Sequence, residues 1–176
     1  MEYAIFLVIK GRTHQLQKKL IRDVGPRFEE NYMIHNPLPL HITLKYPFKT
    51  NKGKSLEKSV KEFAKTQKQT KIKAVGFGSF HKHVIFTKLE FSKQALLVRK
   101  KLLNQTKELG IKPDKLDFPF KPHMTVAYGN TKESFSQMWE YVQTLKKPHF
   151  NIMFDNISIM RNLNKKWQIY RAFKIK

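Results

Sequence analysis

The sequence predicts an α+β protein: a bilobal, pseudo-two-fold duplicated fold in which two antiparallel-rich sheets form a central cleft and the helices lie outside. Three observations carry that expectation. Short apolar runs of strand length alternate with stretches whose apolar residues recur every three or four positions. The order of these segments occurs twice along the chain. Each round also holds an alternating run with the same polar pair inside it. These are His41 and Thr43 in PLPLHITLKYPF (Pro37–Phe48), and His123 and Thr125 in FPFKPHMTVAYG (Phe118–Gly129).

YAIFLVI (Tyr3–Ile9) is a continuous apolar run and reads as a buried strand. Leu16, Leu20, Val24, Phe28 and Tyr32 then recur every four residues, a helical stripe that Gly25-Pro26 kinks or divides. The His41 strand follows a Pro-bounded loop. Leu56, Val60, Phe63 and Ala64 mark a second helix. KIKAVGFGSF and HVIFTKLEF read as two strands joined by a turn around His81-Lys82. A helix from about Lys93 to Leu109 places Leu96, Arg99, Leu102, Leu103, Thr106 and Leu109 on one face. After the loop GIKPDKLDFPFKP comes the His123 strand, then a helix marked by Phe135, Met138, Val142 and Leu145. FNIMFDNISIM and WQIYRAFKI close the chain as two strands. Each half thus reads helix, His-x-Thr strand, helix, strand, strand, with Tyr3–Ile9 extra at the front. The motifs lie 82 residues apart (41 to 123), about half of the 176-residue chain, which indicates an internal duplication. No Gly/Ser or Pro linker separates the halves, so residues 1–176 are expected to form a single domain of two intimately packed lobes.

A chain of this length buries about 70% of its unfolded surface and needs neither metal nor disulfide to fold. A hydrophobic fraction of 40% and 14 Phe provide the core. The absence of Cys excludes thiol catalysis, zinc–thiolate sites and a disulfide framework, and fits a reducing compartment. Lys and Arg number 35 against 13 Asp and Glu, a net charge of +22 that attracts polyanions. Only six of the basic residues are Arg, so the charge is mostly diffuse lysine. It supports a nucleic-acid partner, and it equally describes a lysine-coated, solvated surface. The opening MEYAIFLVIK has no basic leader, and its apolar run of about seven residues is too short for a signal peptide or a membrane span. A cytoplasmic monomer without a membrane partner is expected.

On a strand, residues i and i+2 share a face about 7 Å apart. His41 and Thr43 therefore face one side and Ile42 and Leu44 the other; His123 and Thr125 are likewise opposed by Met124 and Val126. The apolar residues belong to the cores and the polar pairs to whatever lies between the lobes. Two imidazoles titrating near 6.5 can hold opposite protonation states, one as base and the other as acid. Two hydroxyls beside them can bind oxygens where negative charge grows. That set suits in-line displacement at phosphorus. A single His-x-Thr triplet is uninformative, a satisfied pair in most proteins; two copies in the same context are not.

PLHITLKY and FKPHMTVAY resemble the two H-x-T/S-hydrophobic signatures of the 2H phosphoesterases, a family that includes 2′–5′ RNA ligase-like proteins and cyclic phosphodiesterases. The resemblance spans nearly the whole chain, from the opening strand to the aromatic pattern Trp167, Tyr170 and Phe173 at its end. It implies a bilobal fold with a central cleft and metal-independent cleavage of 2′,3′-cyclic phosphates or 2′–5′ phosphodiesters, without a cofactor. It further implies His41 and His123 as the acid/base pair, the second often as base in cyclic hydrolysis, and Thr43 and Thr125 as phosphate binders. Two positions beyond each motif, bacterial members often carry an aromatic and then an arginine; here the residues are Tyr46 and Tyr128. Tyr46 keeps the aromatic and can stack on a base, whereas Tyr128 removes a cationic clamp. Lys45 shares the parity of His41 and Thr43, so it either supplies the missing charge or is a solvated rim lysine. Tyr46 and Tyr128 have the opposite parity and reach the cleft only if the strands end or twist there.

His81 and His83 lack acidic or third-histidine partners nearby in sequence, which favours a turn over a metal site. Gly76–Gly78 is too short for a phosphate loop and reads as a bulged strand. Asp114 and Asp117 read as turn or cap residues. Lys71 and Lys73 mark the wet face of a strand, and His14, His35 and His149 stand in no recognisable motif. The expected function is a phosphodiesterase acting on RNA or oligonucleotide ends. The alternatives are a small-nucleotide cyclic phosphodiesterase and a non-catalytic RNA-binding module with the same cleft.

Overall fold

Helical and alternating periodicities segregate cleanly along the chain. The computed structural model describes residues 1–36 and 38–176; Pro37, which bounds the loop before the first motif, lies outside the described residues. The chain forms β1 (Glu2–Val8), α1 (Gly11–Arg27), the single-turn α2 (Tyr32–His35) and β2 (His41–Lys49). Next come α3 (Gly53–Thr66), β3 (Thr70–Phe80), β4 (Val84–Phe91) and α4 (Lys93–Glu108). A 3₁₀ turn (Lys115–Asp117) leads to β5 (His123–Tyr128), α5 (Lys132–Thr144), β6 (His149–Phe154), β7 (Asn156–Leu163) and β8 (Lys166–Lys174). Two antiparallel four-stranded sheets result, ordered β2-β1-β7-β8 and β5-β4-β3-β6, so each His-x-Thr strand lies on a sheet edge. Among the described residues, no helix is long and apolar enough to cross a membrane.

The helices cover the outer faces. Ile5, Leu7, Ile42 and Leu44 of the first sheet join Ile72, Leu89, Met124 and Phe154 of the second in one core closed by α3 and α4. A second cluster seats α1 and α5 through Val24, Ile85, Val126, Phe135 and Met138. The alternation expected of both motifs holds: Ile42, Leu44, Met124 and Val126 are all buried on these outer, helix-covered faces.

The duplication is deeper than its letters. β1, α1 and β2 begin at residues 2, 11 and 41; β4, α4 and β5 begin at 84, 93 and 123, the same offset of 82 at each element (84 against 2, 93 against 11). Tyr3–Ile9 is therefore not an extra strand but the first strand of copy one. One strand of each copy crosses over, the third of copy one (β3) and the fourth of copy two (β7). β3 pairs with β4, and β7 pairs with β1, so both sheets hold strands from both halves. FNIMFDNISIM, expected as one strand, breaks at Asp155, where the chain passes from β6 in the second sheet to β7 in the first.

Two helical stripes also differ from expectation. Pro26 falls in the last turn of α1 and the helix stops at Arg27. Glu29 takes φ 61°, and the N–H groups of Glu29 and Glu30 donate to Pro26 O (3.2 Å) and Gly25 O (3.0 Å), a Schellman closure. The buried face of α1 is Gln17, Ile21 and Val24, while Leu16 and Tyr32 are exposed. On α4 the buried face is Ala95, Val98, Arg99, Leu102, Leu103 and Thr106, and Leu96 is exposed. In both helices a polar side chain lies inward because the strand behind it offers hydrogen-bond partners. The turns match the reading: His81 and Lys82 take φ 49° and 50° in the three-residue connection between Phe80 and Val84. Gly76 takes φ 118° where the β3–β4 ladder skips from Ala74 to Phe77, so the strand is bulged.

Candidate active site

β2 and β5 approach each other edge to edge, and the faces opposite the helices look into one cleft of about 210 Å³. His41, Thr43, Tyr46, His123, Thr125 and Tyr128 all line it. The two histidines are held alike. His41 Nδ1 lies 2.7 Å from the Pro39 carbonyl and His123 Nδ1 2.8 Å from the Lys121 carbonyl, in each case two residues upstream. A carbonyl only accepts, so Nδ1 carries the proton in both rings and Nε2 presents its lone pair. Phe6 stacks on His41 at 4.0 Å and 17°, while Phe80 and Phe86 flank His123 at 4.9 and 5.2 Å. Gly78 makes room for that wall, since a Cβ there would lie 2.5 Å from the Phe86 ring.

Burial pushes His41 down to about 4; the Pro39 carbonyl opposes the fall and the neighbouring His123 adds to it. Burial also lowers His123, against its bond to Lys121. Both rings are thus neutral at pH 7 in the free protein, and an anionic phosphate between them favours protonation of one. The native state binds fewer protons than the unfolded chain wherever a folded histidine lies below 6.5. The stability from a neutral His41 is therefore complete above pH 6.5 and is lost as pH falls from 6.5 toward 4. Over that window His41 alone should cost about 3 kcal/mol. Urea unfolding of His41→Gln should decline less steeply on acidification by about that amount; parallel curves for the two proteins would refute a buried neutral ring.

The tyrosines reach the cleft for a reason that alternation hides. In the β1–β2 ladder Phe6 faces Thr43 but Ile5 faces Lys45, and in the β4–β5 ladder Phe86 faces Thr125 but Ile85 faces Ala127. The same bulge follows both motifs, inverts the parity beyond it, and turns Tyr46 and Tyr128 inward. Burial raises both phenols, with the Thr125 hydroxyl opposing at Tyr128, so both remain hydrogen-bond donors. Tyr32 packs edge-on against Tyr128 at 5.1 Å.

Bulging also removes Lys45 from the cleft, correcting its assignment as a substrate or rim lysine. Lys45 is 1% exposed, with Nζ 2.6 Å from Asp117 Oδ2. Asp117 also accepts from the N–H groups of Tyr46 (3.1 Å) and Asp114 (2.8 Å), and the two aspartates, read as turn or cap residues, form a capping box. Arg99 donates to the carbonyls of Leu44 and Asp117, both at 2.9 Å. Lys88, the cross-strand neighbour of His123, is exposed.

Gln17 was not legible as a site residue. Its amide donates to the carbonyls of Met124 (3.2 Å) and Thr125 (3.0 Å) and accepts from Thr87 (2.9 Å), fixing the backbone of the second motif. Aligning the two copies would have found it, since Gln17 and Arg99 are 82 residues apart and each braces the motif strand of the other copy. Of the remaining histidines, His83 bonds the Gly129 carbonyl through Nδ1 and His81 is exposed in the hairpin turn. Among the described residues, no three His, Asp or Glu side chains are placed to hold a metal ion.

A family model, the 2′-5′ RNA ligase superfamily, matches residues 9–166. The chain belongs to that superfamily. Its members are 2H phosphoesterases, and this chain resembles a Geobacillus thermodenitrificans protein named provisionally as a phosphoesterase. The two are 29% identical over 163 residues, covering 89% of this chain and 91% of that one. The superfamily fold is shared with a Thermus thermophilus protein, TT0787, at a TM-score of 0.70 and 17% identity over 99% of this chain and 98% of that one. Escherichia coli LigT in its apo form gives 0.67 and 12%, over 99% and 97%.

Proposed function

We propose that this 2H phosphoesterase is a metal-independent phosphodiesterase acting on RNA or oligonucleotide ends that carry a 2′,3′-cyclic phosphate or a 2′–5′ linkage. One observation carries the reading: two imidazoles with identical Nδ1 anchors present Nε2 to a single cleft, each beside its own threonine. In hydrolysis of a cyclic end, one Nε2 takes a proton from water as the water oxygen bonds to phosphorus. The P–O bond to a ribose oxygen breaks, and the other imidazole, protonated beside the anionic phosphate, gives that oxygen its proton. Thr43 and Thr125 hydroxyls bind the non-bridging oxygens as charge accumulates. The two imidazoles exchange roles in the reverse direction.

The test is incubation with 2′,3′-cyclic and 2′–5′-linked substrates in EDTA, with the His41→Ala, His123→Ala double variant as control. Product from the wild type and none from the double variant is expected. No product from any substrate, with binding that survives both substitutions, would show a non-catalytic RNA-binding module instead.

A further inference from the structure

Beside the catalytic cleft runs a second groove, of about 420 Å³, between α1 and the α2 region. Its two walls differ in chemistry. One carries two cations, Lys18 and Arg22, four residues and about 6 Å apart along α1, with the His14 imidazole one turn before them. The other is apolar and includes Met33, Ile34 and Leu38, the last two 39% exposed. Among the described residues no carboxylate lines the groove, and the three basic side chains form no ion pair. Met33 and Leu38 also line the catalytic cleft, so the groove begins where the cleft ends.

We infer that this groove holds the nucleotide preceding the reacting terminus of an RNA strand, with its phosphates along Lys18 and Arg22 and its base or ribose against Ile34 and Leu38. The inference rests on the phosphodiesterase reading and deepens it, because a mononucleotide would fill the cleft and leave the groove empty. Two cations one helical turn apart suit successive phosphates, and an apolar wall opposite suits the flat, weakly hydrated face of a base. A free phosphate would need only the first of these features.

The experiment compares kcat/KM for a 2′,3′-cyclic-ended trinucleotide with kcat/KM for a mononucleoside 2′,3′-cyclic phosphate, in wild type and in the Lys18→Glu, Arg22→Glu double variant. Both side chains are exposed, so the fold should tolerate reversal. The trinucleotide-to-mononucleotide ratio is expected to fall by about tenfold at low salt, and the log–log salt slope for the trinucleotide to flatten by about 1. An unchanged ratio, whether both substrates hold or both decline together, overturns the inference. Should the wild type turn over neither substrate, the phosphodiesterase reading fails, and fluorescence anisotropy of a labelled oligonucleotide decides the groove alone. Weaker, less salt-dependent binding by the double variant supports it, and equal binding overturns it.

Discussion

His41→Ala and His123→Ala should each lower kcat on a 2′,3′-cyclic phosphate by about 10²–10⁴-fold, with KM nearly unchanged. Each imidazole has one nitrogen committed to a backbone carbonyl and the other open to the cleft. Removing either ring leaves one proton transfer to water, while the threonines and tyrosines that line the cleft stay in place. Steady-state kinetics on a mononucleoside cyclic phosphate check this without involving the groove. His→Gln variants keep the bulk beside Phe6 and Phe86 and separate lost chemistry from lost packing. Full turnover by both single variants would remove the acid/base assignment.

Asp117→Ala should be the most damaging substitution outside the cleft, costing about 3–5 kcal/mol. The carboxylate is fully buried against Lys45, 2.6 Å away, with Arg99 also close by. Its loss strands a buried ammonium, which costs far more than the pair contributes when intact. Urea denaturation measures the effect. The combined Asp117→Leu, Lys45→Met variant should recover much of it by removing both charges together. A loss below about 1 kcal/mol for Asp117→Ala would mean that water reaches Lys45 after all. The Tyr46 N–H bonds the same carboxylate, so the kinetic consequence should appear first in substrate binding.

The histidines and threonines were legible because strand alternation is local: His41 and Thr43 needed only the period of two, and the second copy removed the ambiguity of the first. Lys45 was misplaced by the same rule, because a bulge at Leu44-Lys45 has no letter of its own. The signal lay in the other copy, where position 127 is alanine, a residue at home in a core. Gln17 and Arg99 were hidden because the motif-strand carbonyls they brace lie more than 50 residues away, which no periodicity reports. The break at Asp155 was illegible for a related reason. A single residue separates β6 from β7, and only long-range pairing assigns them to different sheets.

The crossed strands have a consequence for where the proposed catalysis resides. Neither copy owns a complete sheet, and each motif strand is braced by a helix from its counterpart. The reactive pair is a joint possession of the two repeats. A polypeptide holding one repeat would complete such a centre only by trading arms with a second molecule, and covalent linkage of the two makes that trade permanent.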